Sequence, residues 1–326
     1  RPRLQLLDAE SPDEQLKSFA EEIRDGLSRT PKKVSPRFLY DERGSELFTE
    51  ITHTEDYYVT DVERSILKSH AKEIFDAVGS KIVLNEPGAG DCAKTRILIE
   101  AALERQDGLL FEPIDISGAQ LKKTSQALVN EYDDLNITGV TGQYEEGLER
   151  LEPVDDPRLI IFLGSSIGNF SREGAVDLLS KFEEFMTDQD RLLIGVDLIK
   201  EREVLERAYD DSEGVTAQFN KNLLRRINRE LGGHFEPETF THDAPLVEEK
   251  SRVEMRLVSD RDQDVFVENL SQSFHFDEGE YIHTESSHKY TVEEFTDLAE
   301  KAGLSAQSHW TDDRDYFAEI LFRSRD

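Results

Sequence analysis

The chain has 326 residues, enough for one large core or two smaller ones. Its 70 acidic against 39 basic residues leave a formal net charge of −31 spread along the whole length, and an evenly acidic surface repels phosphate backbones and anionic lipid, which argues against nucleic acid and membrane partners. A single cysteine, Cys92, excludes an internal disulfide, and no apolar run reaches membrane-spanning length, so a cytoplasmic protein is expected.

The acidity also resembles that of surfaces solvated at high salt. The expected result is greater stability and activity in molar salt than in dilute buffer; refolding that is best at low salt would rule this out. The opening Arg-Pro-Arg shows no signal-peptide pattern.

In chain order, Ser11-Pro12-Asp13-Glu14 is a capping box with proline at the first helical position. It opens an amphipathic helix over 11–28 through Leu16, Phe19, Ile23 and Leu27. Pro31 and Pro36 mark a basic, extended connection, and residues 38–48, Phe-Leu-Tyr-Asp-Glu-Arg-Gly-Ser-Glu-Leu-Phe, read as a polar loop dense in aromatics that pack or line a pocket. Asp56-Tyr57-Tyr58-Val59 repeats that density just before a second capping box, Thr60-x-x-Glu63, that starts a helix to about residue 77. The tyrosines fit either a core or a ligand-lining role.

Residues 81–101 read as a buried strand, a glycine turn and a helix. Ile82, Val83 and Leu84 form the apolar run of a central parallel strand, Glu86 ends it, and Gly88 and Gly90 allow a tight turn that approaches a ligand closely. Gly88-x-Gly90-x-x-Ala93 also fits a dinucleotide fingerprint. A pyrophosphate needs the positive helix start for itself, whereas Glu86 and Asp91 bracket this turn with negative charge. S-adenosylmethionine, with a cationic sulfonium and amino group and no phosphate, suits it better. The next strand, Leu109–Ile114, ends in Asp115, where a carboxylate can accept both ribose hydroxyls of either cofactor. Cys92 reads as a small buried residue at a helix start rather than a reactive thiol.

The βαβ rhythm continues with a helix from Ser117 to about Leu128, a strand at Ile137–Thr141 ended by Gly142-Gln143-Tyr144-Glu145, and a fully apolar strand, Arg158–Leu163. That strand runs into Gly164-Ser165-Ser166-Ile167-Gly168-Asn169-Phe170, at the sheet edge where open α/β folds place their chemistry. Asn169 is a candidate to hydrogen-bond substrate, or else an Asx turn opening the next helix. A helix near 173–186 and a strand at Arg191–Val196 close this half.

From Leu198 the pattern changes. A helix near 200–208 ends in Tyr209, Gly214 breaks the chain, and an amphipathic helix runs from Thr216 to about Leu231. Short runs at Val253–Val258, Val265–Val267, Gln272–Phe276 and Tyr281–Ser287 predict an antiparallel meander in an inserted domain. A helix at Val292–Ala302, capped by Thr291-x-x-Glu294, then leads to strands Ser305–Trp310 and Tyr316–Phe322. This ending suits a methyltransferase sheet, whose last strand runs antiparallel, and not a dehydrogenase. Among the eight histidines no pair has metal-ligand spacing, so no metal is expected.

Several segments resemble the S-adenosylmethionine-dependent histidine Nα-methyltransferase family that forms hercynine on the way to ergothioneine. They are residues 38–48, Glu-Asp-Tyr-Tyr (55–58), Phe-Leu-Gly-Ser-Ser-Ile-Gly-Asn (162–169), residues 207–220, Arg-Val-Glu-Met (252–255) and Thr-Glu-Ser-Ser (284–287), and the likeness runs from about residue 20 to the end. The resemblance implies cofactor contacts at Gly88, Lys94, Asp115, Gln143 and Tyr144, beside Glu86 and Gly90 of the turn. It implies substrate contacts at Tyr57, Asn169, Tyr209, Phe219, Met255, Glu285 and Ser287, with Tyr40 near the reacting nitrogen. Asn169 and Tyr209 would hold the carboxylate and amino end of L-histidine, Glu285 and Ser287 its imidazole, and Tyr40, Tyr57 and Asn169 the reacting centre. Glu285 and Ser287 alternate along one strand and so share a face, which agrees with pairing a ring that carries an N–H. The chain departs from the family at Glu86-Pro87-Gly88-Ala89-Gly90-Asp91, where Glu-Leu-Gly-Ser-Gly-Thr is usual, and at Gln143, where an acidic residue is common.

The expected fold is α/β, a Rossmann-like class I methyltransferase sheet with an inserted α+β substrate-binding domain. The expected division gives 62–198 plus 289–326 to S-adenosylmethionine and 9–61 plus 199–288 to substrate, in a monomer. The alternatives are methylation of another amine, such as a tryptophan derivative, or a cofactor-binding relative without catalysis.

Overall fold

A computed structural model of the chain describes residues 3–8, 11–79 and 81–325. It divides into two compact units, the first holding the described residues within 1–9, 59–199 and 288–326, the second those within 10–58 and 200–287.

The first unit is an eight-stranded sheet. Its spatial order is Leu4–Asp8, Leu135–Thr141, Leu109–Asp115, Val83–Pro87, Arg158–Phe162, Arg191–Asp197, Phe317–Ser324 and Leu304–Thr311. The first six strands pair in parallel and the last two antiparallel, Phe317–Ser324 lying against Arg191–Asp197. This is the α/β, Rossmann-like sheet expected, with one addition. Leu4–Asp8, which no local pattern announces, adds an edge strand in register with Ile137–Thr141.

Successive side chains of a central strand point to opposite faces, and both faces here are covered. Leu159 and Ile161 join Leu84, Phe111 and Leu193 beneath Phe75 and Leu98, while Ile160 and Phe162 join Leu192 and Ile194 beneath Phe182 and Phe295. The strand order reverses between Val83–Pro87 and Arg158–Phe162. The carboxyl ends of these two strands flank the switch point, where doubly wound sheets bind their ligands.

The helix after Tyr58 spans Val59–Val78, so Thr60 lies inside it and is not its cap. The Thr60-x-x-Glu63 pattern predicts a capping box, but Glu63 turns into the core and accepts from the Gly164 N–H at 2.6 Å.

The second unit is α+β. Helix Pro12–Ser28 carries the predicted Ser11/Glu14 capping box. Residues 38–48 are not a loop: a 3-10 turn at Pro36–Leu39 leads into helix Glu42–Ile51, capped by Asp41, whose carboxylate accepts from the Gly44 N–H at 2.7 Å. Helices Arg202–Tyr209 and Val215–Leu231 follow. The predicted meander is also corrected. Gln263–Val267 and Gln272–Phe276 form a hairpin of their own, and Arg252–Ser259 and Tyr281–His288 become direct neighbours in a sheet ordered Lys32–Lys33, Tyr281–His288, Arg252–Ser259, Phe240–Asp243, with Leu246–Val247 also pairing with Arg252–Ser259. Among the described residues no helix is long and apolar enough to cross a membrane.

Candidate active site

In the first unit, strand Val83–Pro87 is buried throughout and breaks into a turn with positive φ at Gly88 (+80°) and Gly90 (+55°). A Cβ on Gly88 would stand in ordinary contact, 3.4 Å from the Tyr144 ring, so the positive φ and not crowding calls for glycine here. The N–H groups of Gly88 and Ala89 donate to the Ile114 carbonyl at 2.7 and 3.1 Å, tying the turn to the neighbouring strand. Cys92 also takes the left-handed conformation, at φ 53°, and is buried.

Asp115 ends strand Leu109–Asp115. Its Oδ2 accepts from the Gly90 N–H at 2.7 Å and its Oδ1 from the Ser117 N–H at 2.8 Å. Each oxygen keeps a second lone pair, which suits a pair of ribose hydroxyls. Burial pushes this carboxyl above its ordinary range, and the two backbone N–H groups pull it back.

Glu86 lies beneath the turn, 3 % exposed, with both oxygens taking the Thr95 hydroxyl at 2.9 and 2.7 Å. Burial raises its carboxyl to about 8, against the pull of Thr95 and Lys94. At neutral pH Glu86 therefore supplies little negative charge, which leaves the half-exposed Asp91 as the open carboxylate of the turn. Lys94 forms an ion pair with the fully buried Glu63. Gln143 is at the start of helix Tyr144–Glu149 and donates to Glu146 at 3.1 Å, while the Tyr144 ring meets Phe162 edge-on, centroids 5.2 Å apart.

Asn169 closes the 3-10 turn Ser166–Asn169 beyond strand Arg158–Phe162. The turn is held on two sides: Ser165 Oγ accepts from the Asp197 N–H at 3.0 Å, and the Gly168 carbonyl accepts from His288 Nδ1 at 2.9 Å. The next helix, Arg172–Phe185, is capped by Ser171, which accepts from the Gly174 N–H at 3.1 Å. Asn169 is thus not the helix cap.

In the second unit the predicted aromatics form one connected cluster, in which Tyr40, Phe48 and Phe219 meet one another. Phe219 meets Tyr40 at 5.3 Å between centroids, Tyr40 meets Phe48 at 5.5 Å, Phe48 meets Tyr57 at 6.3 Å and Tyr57 meets Tyr209 at 6.3 Å. At its end the Tyr209 hydroxyl donates to Ser287 Oγ at 2.7 Å. Met255, Glu285 and Ser287 are buried on neighbouring strands Arg252–Ser259 and Tyr281–His288. Such a surface, apolar rings bordered by hydroxyls and a buried carboxylate, can receive a flat ring with an N–H at its edge.

Three residues that sequence reasoning did not single out brace this unit. The Thr284 hydroxyl donates to Asn220 Oδ1 at 2.6 Å, Asn220 Nδ2 donates to His242 Nδ1 at 2.9 Å, and His242 Nε2–H donates to the Tyr209 carbonyl at 2.8 Å. The roles are mutually consistent only for a neutral His242 protonated on Nε2, and burial indeed lowers its pKa. The chain tethers Tyr209 to the residue beside Glu285. An open hollow of about 370 Å³ lined by Thr49, Glu50, His53, Thr54, Glu213 and Val215 contains none of the predicted residues. Among the described residues no group of three or more His, Cys, Asp or Glu side chains is placed to hold a metal.

A family profile described as histidine-specific methyltransferase, SAM-dependent, matches residues 19–324. The histidine N-alpha-methyltransferase of Mycobacterium tuberculosis is 38% identical, covering 92% of this chain and 93% of that protein. Its namesake from Mycolicibacterium smegmatis is 36% identical over 95% and 96%. Ergothioneine biosynthesis protein 1 of Neurospora crassa is 32% identical over 90% of this chain, which spans 34% of that longer protein.

Proposed function

Because the chain belongs to the S-adenosylmethionine-dependent, histidine-specific methyltransferase family, we infer that it transfers methyl groups to the α-amino nitrogen of L-histidine, giving Nα,Nα,Nα-trimethylhistidine (hercynine), the first step toward ergothioneine. The observation that carries this reading is identity of 36–38% to histidine N-alpha-methyltransferases along nearly the whole of both chains.

When bound, S-adenosylmethionine supplies an electrophilic methyl on a sulfonium. The residues present fit it: Asp115 keeps lone pairs for the ribose, Gly90 leaves open space over the turn, and the Tyr144 ring, next in the chain to Gln143, borders the turn at Gly88. Positioning is the chief task of the chain in such a displacement, together with keeping the amine unprotonated. Tyr40 or Tyr57 would orient the amine lone pair, Asn169 and Tyr209 would hold the amino-acid end, and Glu285 with Ser287 would take the imidazole, against Met255 and Phe219. Held by these side chains, the amine would give up its proton to water between rounds, so that its lone pair is free for each successive methyl.

The domain roles follow. The first unit would carry the cofactor and the second most of the substrate contacts. A monomer acting in the cytoplasm completes the reading, and the evenly acidic composition supports the absence of nucleic acid and membrane partners.

Incubation with S-adenosylmethionine and an amino-acid mixture, followed by mass spectrometry, is expected to show histidine gaining three methyl groups. Methylation of another amine would overturn the roles given to Glu285 and Ser287. Cofactor binding without any product would defeat the enzymatic reading.

A further inference from the structure

Beneath the cofactor turn lies a buried charge group that the reaction does not obviously require. Glu319, in the middle of strand Phe317–Ser324, is fully buried, and neither of its carboxyl oxygens has a hydrogen-bond donor in reach. Its register partner is Gly195, and a Cβ on Gly195 would come within 2.3 Å of Glu63 Oε1. Glycine thus opens a slot through which Glu63, from helix Val59–Val78, reaches the face that Glu319 occupies. Glu63 has work of its own: one oxygen accepts from the Gly164 N–H at 2.6 Å and the other pairs with Lys94. It links the strand ends on both sides of the switch point.

Two carboxyls and one ammonium in a dry interior cannot all be ionised without leaving an uncompensated negative charge. Two facing carboxylates are also both acceptors; only a proton between them makes the contact a hydrogen bond. We propose that Glu319 is a positioning residue for the cofactor turn, a neutral carboxylic acid that donates to Glu63 and fixes the grip of Glu63 on Lys94 and the Gly164 amide. The group is then neutral overall: Glu319 protonated, Glu63 anionic, Lys94 cationic. Burial and the nearby Glu63 push the Glu319 carboxyl well above the ordinary range, opposed only by Lys94. Among the described residues Glu86 also faces this group, across Lys94 and Glu63, and burial keeps it largely uncharged at neutral pH. The proposal rests on the reading of Lys94 as a cofactor residue.

Glu319→Gln keeps the shape and the donor of a neutral acid, whereas Glu319→Ala removes both. Glu319→Gln is expected to bind S-adenosylmethionine within about threefold of the parent, and Glu319→Ala about tenfold more weakly, with the KM for histidine unchanged in both. Infrared difference spectra of the parent and Glu319→Gln proteins at neutral pH are expected to show a protonated carboxyl C=O band in the parent that the Gln variant lacks. A Gln variant as impaired as Ala, or a parallel loss of histidine affinity, overturns the proposal. So does the absence of that band, a measurement that needs neither turnover nor a foldable Ala variant. Failure of the functional reading looks different: the parent methylates no histidine, while the band still decides whether Glu319 carries a proton.

Discussion

Asp115→Ala is expected to weaken S-adenosylmethionine binding by about a hundredfold or more, the loss of two charge-assisted hydrogen bonds to the ribose at roughly 1.5–3 kcal/mol each. The carboxylate also organises its own surroundings. It accepts from the Gly90 and Ser117 N–H groups, and leaving such donors without a partner in a closed site costs about 1–3 kcal/mol apiece. The variant therefore loses thermal stability as well as affinity. Asp115→Asn is no remedy, because its NH2 must face one of those two N–H donors. Isothermal titration with cofactor checks this; near-parental affinity in the Ala variant would show that the ribose is held elsewhere. The acid side of the pH profile follows from the raised Asp115 carboxyl. A carboxyl raised in the fold adds stability that is fully present below its unfolded pKa and is lost as pH rises through the folded one. Cofactor affinity runs the other way. It needs the ionised form and fades on acidification sooner than an ordinary aspartate would allow.

Glu285→Ala is expected to raise the KM for histidine by about a hundredfold while kcat changes by less than about tenfold. Glu285 is 7 % exposed on the same strand face as Ser287, whose hydroxyl is held by Tyr209. A carboxylate at such a depth binds a ring N–H strongly, yet the methyl is transferred at the far end of the amino acid, so the loss is one of binding common to ground and transition states. Glu285→Gln separates charge from shape, because an amide oxygen can still accept from a neutral imidazole. Steady-state kinetics with histidine varied decides the matter. A collapse of kcat at unchanged KM would place Glu285 at the reacting nitrogen instead.

The first unit was readable in the chain because its signals are local. A strand buried on both faces is a continuous apolar run, as in Ile82–Leu84 and Leu159–Phe162, and a turn that needs positive φ declares itself with Gly88 and Gly90. The parts that were missed depend on distant partners. Leu4–Asp8 becomes a strand through Leu135–Thr141, more than a hundred residues away, and nothing in its own sequence requires that pairing. Thr60-x-x-Glu63 has the pattern of a capping box, but Glu63 finds a better partner 101 residues on, at Gly164. In the second unit the residue types were evident but their connections were not. The Tyr209–Ser287 bond spans 78 positions and the Thr284–Asn220 bond 64, and periodicity carries no information over such separations.

Cys92 turns the cofactor loop into its own reporter. It is the single sulfhydryl of the chain, sits in a left-handed kink between Gly90 and helix Thr95–Leu103, and has its thiol pushed well above its ordinary pKa by burial and by Glu86. While the loop is closed there is neither thiolate nor a path to it, so an alkylating reagent can trap the sulfur only during local opening. The trapping rate is then a clock for that opening, read from one atom without any introduced label, and ligands that close the loop slow the clock.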